Sequence, residues 1–556
     1  MRITIAQLNY KIGNFKYNLD KIKNAINKAK EEKSDLIIFS ELAICGYPPL
    51  DLIGNKKFIS KSLETIKSIV CESHDIAIII GSPWICSNEL LFNSALFIYQ
   101  GEIKEIINKT NLPSYGMFNE SYYFKMNKEY KVIEFKGKKI GITIGEDLWF
   151  QQPLIAKKLN NKFNECESPL DKIFKFNPDF IINISALPFS YLYLDKVNIL
   201  VNNARIYRKP IIYVNQVGGY TDLIFEGGSC MVSEKAKVKL LLPYFKESVF
   251  TFNYEELYDD ASSDYYDLSL NEEKKIELLH DALVSGIKDF FSKNGFDKAI
   301  LGLSGGIDSA VVTILAVEAL GSNNVHVLLM PSKFSSSHSI TDAKKLAENL
   351  KIKYDIISIQ DIFECYNENL SKFFNNLPFN VAEENLQARI RANLLMAFSN
   401  KFGYILLNTS NKSELLVGYG TLYGDLCGSL SVIGDIYKTD VYNIANYINK
   451  EKEIIPLNII TKIPSAELRE NQKDIDALPP YDILDKILFN YIELDKSFED
   501  LINNGFDKDT VKYVIELINK NRFKKLQIPP VLNVSKKAVG LETFITLDTD
   551  LNFIIN

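Results

Sequence analysis

Along this chain, short dense runs of apolar residues alternate with longer stretches whose apolar positions recur every three or four residues. Before residue 258 the dense runs fall at 3–8, 35–40, 76–80, 94–99, 140–144, 180–184, 211–215 and 229–232. Each is bounded by Gly, Pro, Asn or other polar residues, which predicts buried strands. Residues 19–30 carry helical spacing instead, so the region reads as a layered α/β domain. The pattern breaks at 258–270, where Asp259-Asp260-Ala261-Ser262-Ser263-Asp264 is polar and aperiodic, as a linker is. Beyond it, 274–292 predicts an amphipathic helix, 298–303 a strand, 309–320 a helix, 325–330 a strand and 340–350 a helix, with further strands at 355–358 and 404–407. That alternation predicts a parallel, Rossmann-like sheet. From Leu526 onward the sequence is less regular and predicts a tail packed on the second domain. The expected division is 1–257, a linker at 258–270, and 271–556.

Composition agrees with two domains. The chain has 556 residues, and single cores rarely exceed about 250–300. Apolar residues make up 46% and charged residues 24%, with a formal charge of -6. The basic excess of a nucleic-acid binder is missing, and so is the run of about 18–20 apolar residues that spans a membrane. The N-terminus enters a strand directly, without a signal peptide, so a cytoplasmic protein acting on small molecules is expected. Seven cysteines and four histidines form no CxxC pair and no zinc-type spacing.

The strongest chemical signal is Ser304-Gly305-Gly306-Ile307-Asp308-Ser309, between a predicted strand and a predicted helix. Paired glycines let backbone N–H groups approach an anion, and the helix start adds positive potential. Ser304 and Ser309 offer hydroxyl donors. Asp308 suits a phosphate only with a cation between them, which points to Mg²⁺. The loop lacks the lysine of a Walker motif and is not GxGxxG. A Gly-rich turn that merely caps a helix is the plain alternative, and the placement after a strand weighs against it.

The loop resembles the pyrophosphatase loop of enzymes that adenylate a substrate and release pyrophosphate. Further segments narrow the likeness: Glu384-Asn385-Leu386-Gln387-Ala388-Arg389-Ile390-Arg391, Asn408-Thr409-Ser410-Asn411-Lys412-Ser413-Glu414, Gly418-Tyr419-Gly420-Thr421-Leu422-Tyr423-Gly424-Asp425, Asp435-Ile436-Tyr437-Lys438-Thr439 and Pro464-Ser465-Ala466-Glu467-Leu468. Together they resemble the two-domain, glutamine-dependent NAD⁺ synthetases over essentially the whole chain. The resemblance implies ATP-dependent amidation of deamido-NAD⁺ through an adenylated nicotinate, with AMP and pyrophosphate released. It assigns Ser304, Gly305, Gly306, Ile307, Asp308, Ser309, Thr409, Lys438 and Ser465 to ATP. Asn385, Arg389, Arg391, Glu414 and Asp425 go to deamido-NAD⁺, and Asp308 and Glu414 to Mg²⁺. Asp425 and Lys438 are the candidate catalytic residues, Asp425 as acceptor of the surplus proton of ammonia. Arg389 and Arg391 stand two apart and cannot share one helix face, so one of them is structural or the helix begins or ends there. The Ser-rich stretch 331–337 is expected to close over the nucleotide. The family also implies a homo-oligomer, a dimer through the synthetase domain that extends to a tetramer or octamer.

The first domain resembles nitrilase-like amidases of the four-layer α-β-β-α kind, which here serve as glutaminase through a Glu, a Lys and a Cys. Glu41 and Lys109 match, as do Tyr115 and Glu120. The cysteine belongs in Gly141-Ile142-Thr143-Ile144-Gly145-Glu146-Asp147-Leu148-Trp149, where Gly145 stands. Glycine has no nucleophile, and a Glu–Lys pair does not replace the covalent step. Leu187 and Tyr193 also depart from the family, at positions usually Ser and basic. Three departures favour a naturally inactive glutaminase domain over a single engineered Cys-to-Gly change, and with it synthesis from free ammonia. Two other readings stay open: another adenylating amidotransferase, or a scaffold with both activities lost. Ile475, where the family commonly has an acid, is a minor departure in the second domain.

Overall fold

The computed structural model describes residues 1–86, 89–149, 168–191, 196–258, 271–375 and 377–539. The chain forms two compact units. The first holds residues 1–189, 193–218 and 225–269, and the second holds 190–192, 219–224 and 270–556. The short segments grouped with the second unit were not foreseen from composition. The expected linker lies, apart from Tyr258, outside the described residues.

In the first unit two six-stranded sheets stack. One runs in the order Ser248–Asn253, Arg2–Gln7, Leu36–Ile38, Ala77–Ile85, Leu91–Tyr99, Glu102–Asn108. The other runs Val238–Leu241, Cys230–Val232, Ile211–Asn215, Phe180–Ser185, Lys138–Ile144, Ile133–Phe135. Strand alternation decides the layers. Leu36, Ile38, Ala77 and Ile79 face Ile140, Ile142, Phe180 and Ile182 in the inter-sheet core. Their neighbours Ile37, Ile78 and Ile80 point outward onto helices Phe15–Glu31 and Lys56–Val70 through Ile22, Ile26, Ile66 and Ile69. On the far side Ile181, Ile211 and Tyr213 meet Leu200 and Ala204 of helix Lys196–Tyr207. The result is the expected α-β-β-α sandwich. Strands buried on both faces explain why their sequences are continuous apolar runs.

The second unit is built on a five-stranded parallel sheet in the order Lys353–Ile356, Val325–Leu329, Ala299–Gly302, Ile405–Asn408, Leu430–Ser431. Ala299–Gly302 lies at the centre, and the strand order reverses beside it. Such a reversal opens a crevice beyond the strand ends. Helices Ile307–Leu320, Ser337–Leu350, Val381–Phe402 and Lys438–Ile448 start or pass near those ends. A helical cluster over 481–520 packs through Leu484, Leu488, Leu501, Val511 and Val514. The described part of the tail, 526–539, packs on this unit: Val534 N and Ser535 N donate to Asp435 Oδ2 at 2.8 and 2.7 Å.

No helix among the described residues is long and apolar enough to cross a membrane.

Candidate functional site

In the second unit the central strand runs straight into the glycine loop, and the next helix begins at Ile307, capped by Gly306. Gly305 takes φ +79°, and a Cβ there would stand 2.3 Å from the Ser339 carbonyl oxygen. Only glycine allows helix Ser337–Leu350 to start so close to the loop. The loop also braces itself: Ser304 Oγ and Ser309 Oγ lie 3.1 Å apart, and Gly306 N donates to Ser304 Oγ at 3.2 Å. The stretch 331–337 is a bonded turn, with Ser335 N donating to Ser332 O at 3.0 Å and Lys333 N to Gln360 Oε1 at 3.0 Å.

A cavity of about 480 Å³ opens at this loop. Ser304, Gly306, Ile307, Asp308, Ser309, Asn385, Arg391, Thr409, Glu414, Asp425, Lys438 and Ser465 all line it, whereas Gly305 and Arg389 do not. Helix Val381–Phe402 explains the difference between the arginines. Its cavity face carries Val381, Glu384, Asn385, Ala388, Arg391, Ala392 and Leu395, at the three- and four-residue spacing of one face. Arg389 lies off that face and donates from Nε to Leu422 O at 3.1 Å. Both residues sit inside an unbroken helix, so the position-splitting explanation is the facing, not a helix end. Arg391 Nε donates to Met330 O at 3.0 Å. Burial pushes its guanidinium down to about 10, against the opposing charges of Glu467 and Asp425.

At one wall two carboxylates face one lysine. Lys438 Nζ lies 2.5 Å from Asp308 Oδ2 and 3.6 Å from Glu414 Oε1. Burial would lower the Lys438 ammonium's pKa, but Asp308 and Glu414 outweigh it and raise it. Burial, and then the charge of Asp308, lift the Glu414 carboxyl above its usual range. Asn411 ties the group together. Its Nδ2 donates to Asp308 Oδ1 at 3.0 Å, and its Oδ1 caps helix Lys412–Val417 by accepting from Glu414 N at 3.0 Å. Asp474 adds a third carboxylate that lines the cavity and acts on both Lys438 and Glu414. Among the described residues no three carboxylates are grouped closely enough to hold a metal ion by themselves, so a hard cation here would need further oxygen donors beside Asp308 and Glu414. Deeper in, Asp425 Oδ1 accepts from Thr421 N at 2.6 Å, and Thr421 Oγ1 donates to Asn385 Oδ1 at 2.7 Å. Burial raises the Asp425 carboxyl. Beside Glu414, the wholly buried Lys412 holds Asp435 at 2.8 Å and Ser535 Oγ at 2.8 Å, anchoring the helix start to the tail.

The first unit holds a second lysine between two carboxylates. Lys109 Nζ lies 2.6 Å from Glu41 Oε1 and 2.9 Å from Glu120 Oε2, all three buried. Asn93 Nδ2 donates to Glu41 Oε1 at 2.7 Å, and Ala186 N donates to Glu41 Oε2 at 3.1 Å. Burial lifts the Glu41 carboxyl above its usual value despite Lys109. Burial would also lower Lys109, but Glu120 and Glu41 hold it well above its usual value. Tyr115 donates its hydroxyl to Glu146. Gly145 ends strand Lys138–Ile144 with φ +52°, and a Cβ there would meet Glu41 Oε2 at 2.9 Å and Lys109 Nζ at 3.0 Å. The position is therefore at the centre of the charged group and has no side chain. Cys45 does not substitute: its Sγ is buried against Leu42 O and Gly46 O, at 3.6 and 3.5 Å, and burial raises its thiol. Leu187 is buried, with its N donating to Asn215 Oδ1 at 2.9 Å. Tyr193 lies outside the described residues.

Comparison with known proteins matches both halves. Residues 279–529 fit the NAD synthase family and residues 2–162 the carbon-nitrogen hydrolase family. The glutamine-dependent NAD(+) synthetase of Synechocystis sp. is 42% identical, with 97% of each chain covered. That of Thermotoga maritima is 38% identical, again with 97% of each covered. The chain belongs to the glutamine-dependent NAD⁺ synthetase family. A solved member, glutamine-dependent NAD+ synthetase from Acinetobacter baumannii in complex with ADP, is 34% identical and superposes with a TM-score of 0.74, covering 97% of this chain and 98% of that one.

Asn93, Asn411, Lys462 and Asp474 were not singled out from sequence. Asn411 had a signal, since Asn three residues before Glu is a helix-capping pattern. Asn93, inside a strand, had none.

Proposed function

We propose that this synthetase family member amidates deamido-NAD⁺ with free ammonia, at the expense of ATP, and draws nothing from glutamine. One observation carries the choice of nitrogen source. Gly145 occupies the point where Glu41, Lys109 and Glu120 converge. A raised Glu41 suits a base, but the residue it would activate has no thiol, and a thioester needs one.

In the second unit the chemistry has its parts. Loop 304–309 and Lys438 take the triphosphate of ATP, and Arg391 and Asn385, which line the same cavity, take the dinucleotide. Lys438 stabilises charge that develops as pyrophosphate leaves. Asp308 and Glu414 are the residues that would hold Mg²⁺, which supplies Lewis-acid neutralisation of phosphate charge when bound. Burial makes Asp425 a better proton acceptor than an exposed aspartate, as ammonia attack on the adenylate requires. The protein works as a homo-oligomer assembled through this unit, which light scattering would read as a dimer or larger.

The test compares NAD⁺ formation from ATP and deamido-NAD⁺ with an ammonium salt or with glutamine. Turnover with ammonium alone is expected. Omitting deamido-NAD⁺ should also stop conversion of ATP to AMP, which separates this reading from other adenylating amidotransferases. No turnover with either nitrogen donor would favour the scaffold reading.

A further inference from the structure

Helix Lys438–Ile448 begins at the lysine of the cavity wall, yet Tyr437 stands at its cap position and makes no side-chain capping bond. The first N–H groups of a helix need acceptors from elsewhere. Two other helices supply them. Lys438 N donates to Ser413 Oγ at 2.9 Å, and Thr439 N donates to Asp485 Oδ2 at 2.8 Å. Ser413 Oγ in turn donates to Asp485 Oδ1 at 2.5 Å. Both oxygens of one buried carboxylate therefore end on the same helical turn, one directly and one through a buried hydroxyl. A carboxylate also suits the partial positive charge of a helix start. Asp485 lies in helix Tyr481–Leu488, four residues after Tyr481, so the two side chains leave one face. The Tyr481 ring lies against the other end of the same lysine, with its centroid 5.2 Å from Lys438 Nζ. One short helix thus holds Lys438 at its backbone and at its ammonium, and that ammonium meets Asp308 and Glu414.

We propose that Asp485 is a positioning residue of the synthetase reaction: it fixes the first turn of helix Lys438–Ile448 and so sets where the Lys438 ammonium stands against the departing pyrophosphate. Asp485 does not line the cavity, so it reaches the reaction through the lysine alone. Without its carboxylate, Thr439 N and Ser413 Oγ lose their acceptor, which is costly away from water, and the turn shifts to recover one. A misplacement of about 1 Å in a reacting group costs about a hundredfold in rate. The proposal rests on reading Lys438 as the charge partner of the leaving group.

The test is a double-mutant cycle on the full-length protein, read as kcat for ammonium-supported NAD⁺ formation. Asp485→Ala should lower kcat by about 10–100-fold, with Asp485→Asn, which keeps the shape and one acceptor, between it and the parent. Ser413→Ala removes only the indirect arm and should cost about 3–10-fold, the scale of one neutral hydrogen bond. In a Lys438→Met background the same changes should lower kcat by less than about twofold, because a residue that acts through the lysine then has nothing left to place. If Asp485→Ala does not fold, Asp485→Asn and Ser413→Ala carry the cycle. Losses that multiply in the Lys438→Met background, or single variants with the parent's kcat, would overturn this proposal alone. A Lys438→Met protein as fast as the parent would overturn the reading of Lys438 and the proposal with it.

Discussion

The two units carry the same charge motif in different settings. In each, a buried lysine stands between two carboxylates: Lys109 with Glu41 and Glu120, and Lys438 with Asp308 and Glu414. Around Lys438 the group opens on a cavity of about 480 Å³ beside the glycine loop, and Asp474 acts there as a third carboxylate, as Glu146 does on Lys109. Around Lys109 the group is closed in by Asn93, Ala186 and Gly145. A lysine–carboxylate cluster is therefore no measure of activity. The surroundings differ: at one site the cluster faces a cavity, and at the other it faces a glycine.

The sharpest way to break the comparison is to neutralise each cluster. Lys438→Met should cut ammonium-supported NAD⁺ formation by about 10²–10³-fold, the usual loss of a transition-state charge partner. Glu41→Gln should leave that rate within about twofold. A large loss in Glu41→Gln would show that the first unit still takes part in the reaction. The closed cluster should matter for folding instead. Lys109→Met leaves two buried carboxylates without their cation and should lower unfolding free energy by about 3–5 kcal/mol, read from a urea titration.

Within the cavity, Arg391→Ala should raise the KM of a nucleotide substrate by about 10–100-fold, as one or two charge-assisted bonds would. Arg389→Ala, off the cavity face, should change it by less than about threefold. Equal effects would contradict the facing of helix Val381–Phe402. The smallest effect belongs to Gly145→Ala. Its methyl would stand 2.9 Å from Glu41 Oε2 on a backbone at φ +52°, so thermal denaturation should show a loss of about 1–2 kcal/mol, with ammonium-supported turnover unchanged.

Much of this was legible in the sequence, for physical reasons. Doubly buried strands such as 180–184 and 211–215 announce themselves as apolar runs, and the glycine loop carries its own geometry. Of the edge strands, Lys353–Ile356 was legible, two residues out of place at 355–358, and others were not. Glu102–Asn108 alternates exposed, charged residues with half-buried ones, and Ile133–Phe135 has only three residues. Helix Gln360–Phe374 was also missed, and so was the full extent of the second, Val381–Phe402, beyond the turn around Arg389 and Arg391. The second of these turns polar and charged side chains into a cavity, so its apolar period is blurred. At the sites, residue types that do the chemistry were readable from their motifs. Residues that only hold them were not, because Asn93 and Lys412 act through Glu41 and Ser535, 52 and 123 residues away.

The most direct test of the central claim follows the nitrogen itself. The protein is supplied with ATP, magnesium, deamido-NAD⁺, glutamine labelled with ¹⁵N in its amide, and unlabelled ammonium, and the NAD⁺ formed is weighed by mass spectrometry. Product carrying only unlabelled nitrogen is expected, with no glutamate released. Labelled NAD⁺ would mean that the unit around Gly145 still delivers nitrogen from glutamine, and would contradict it.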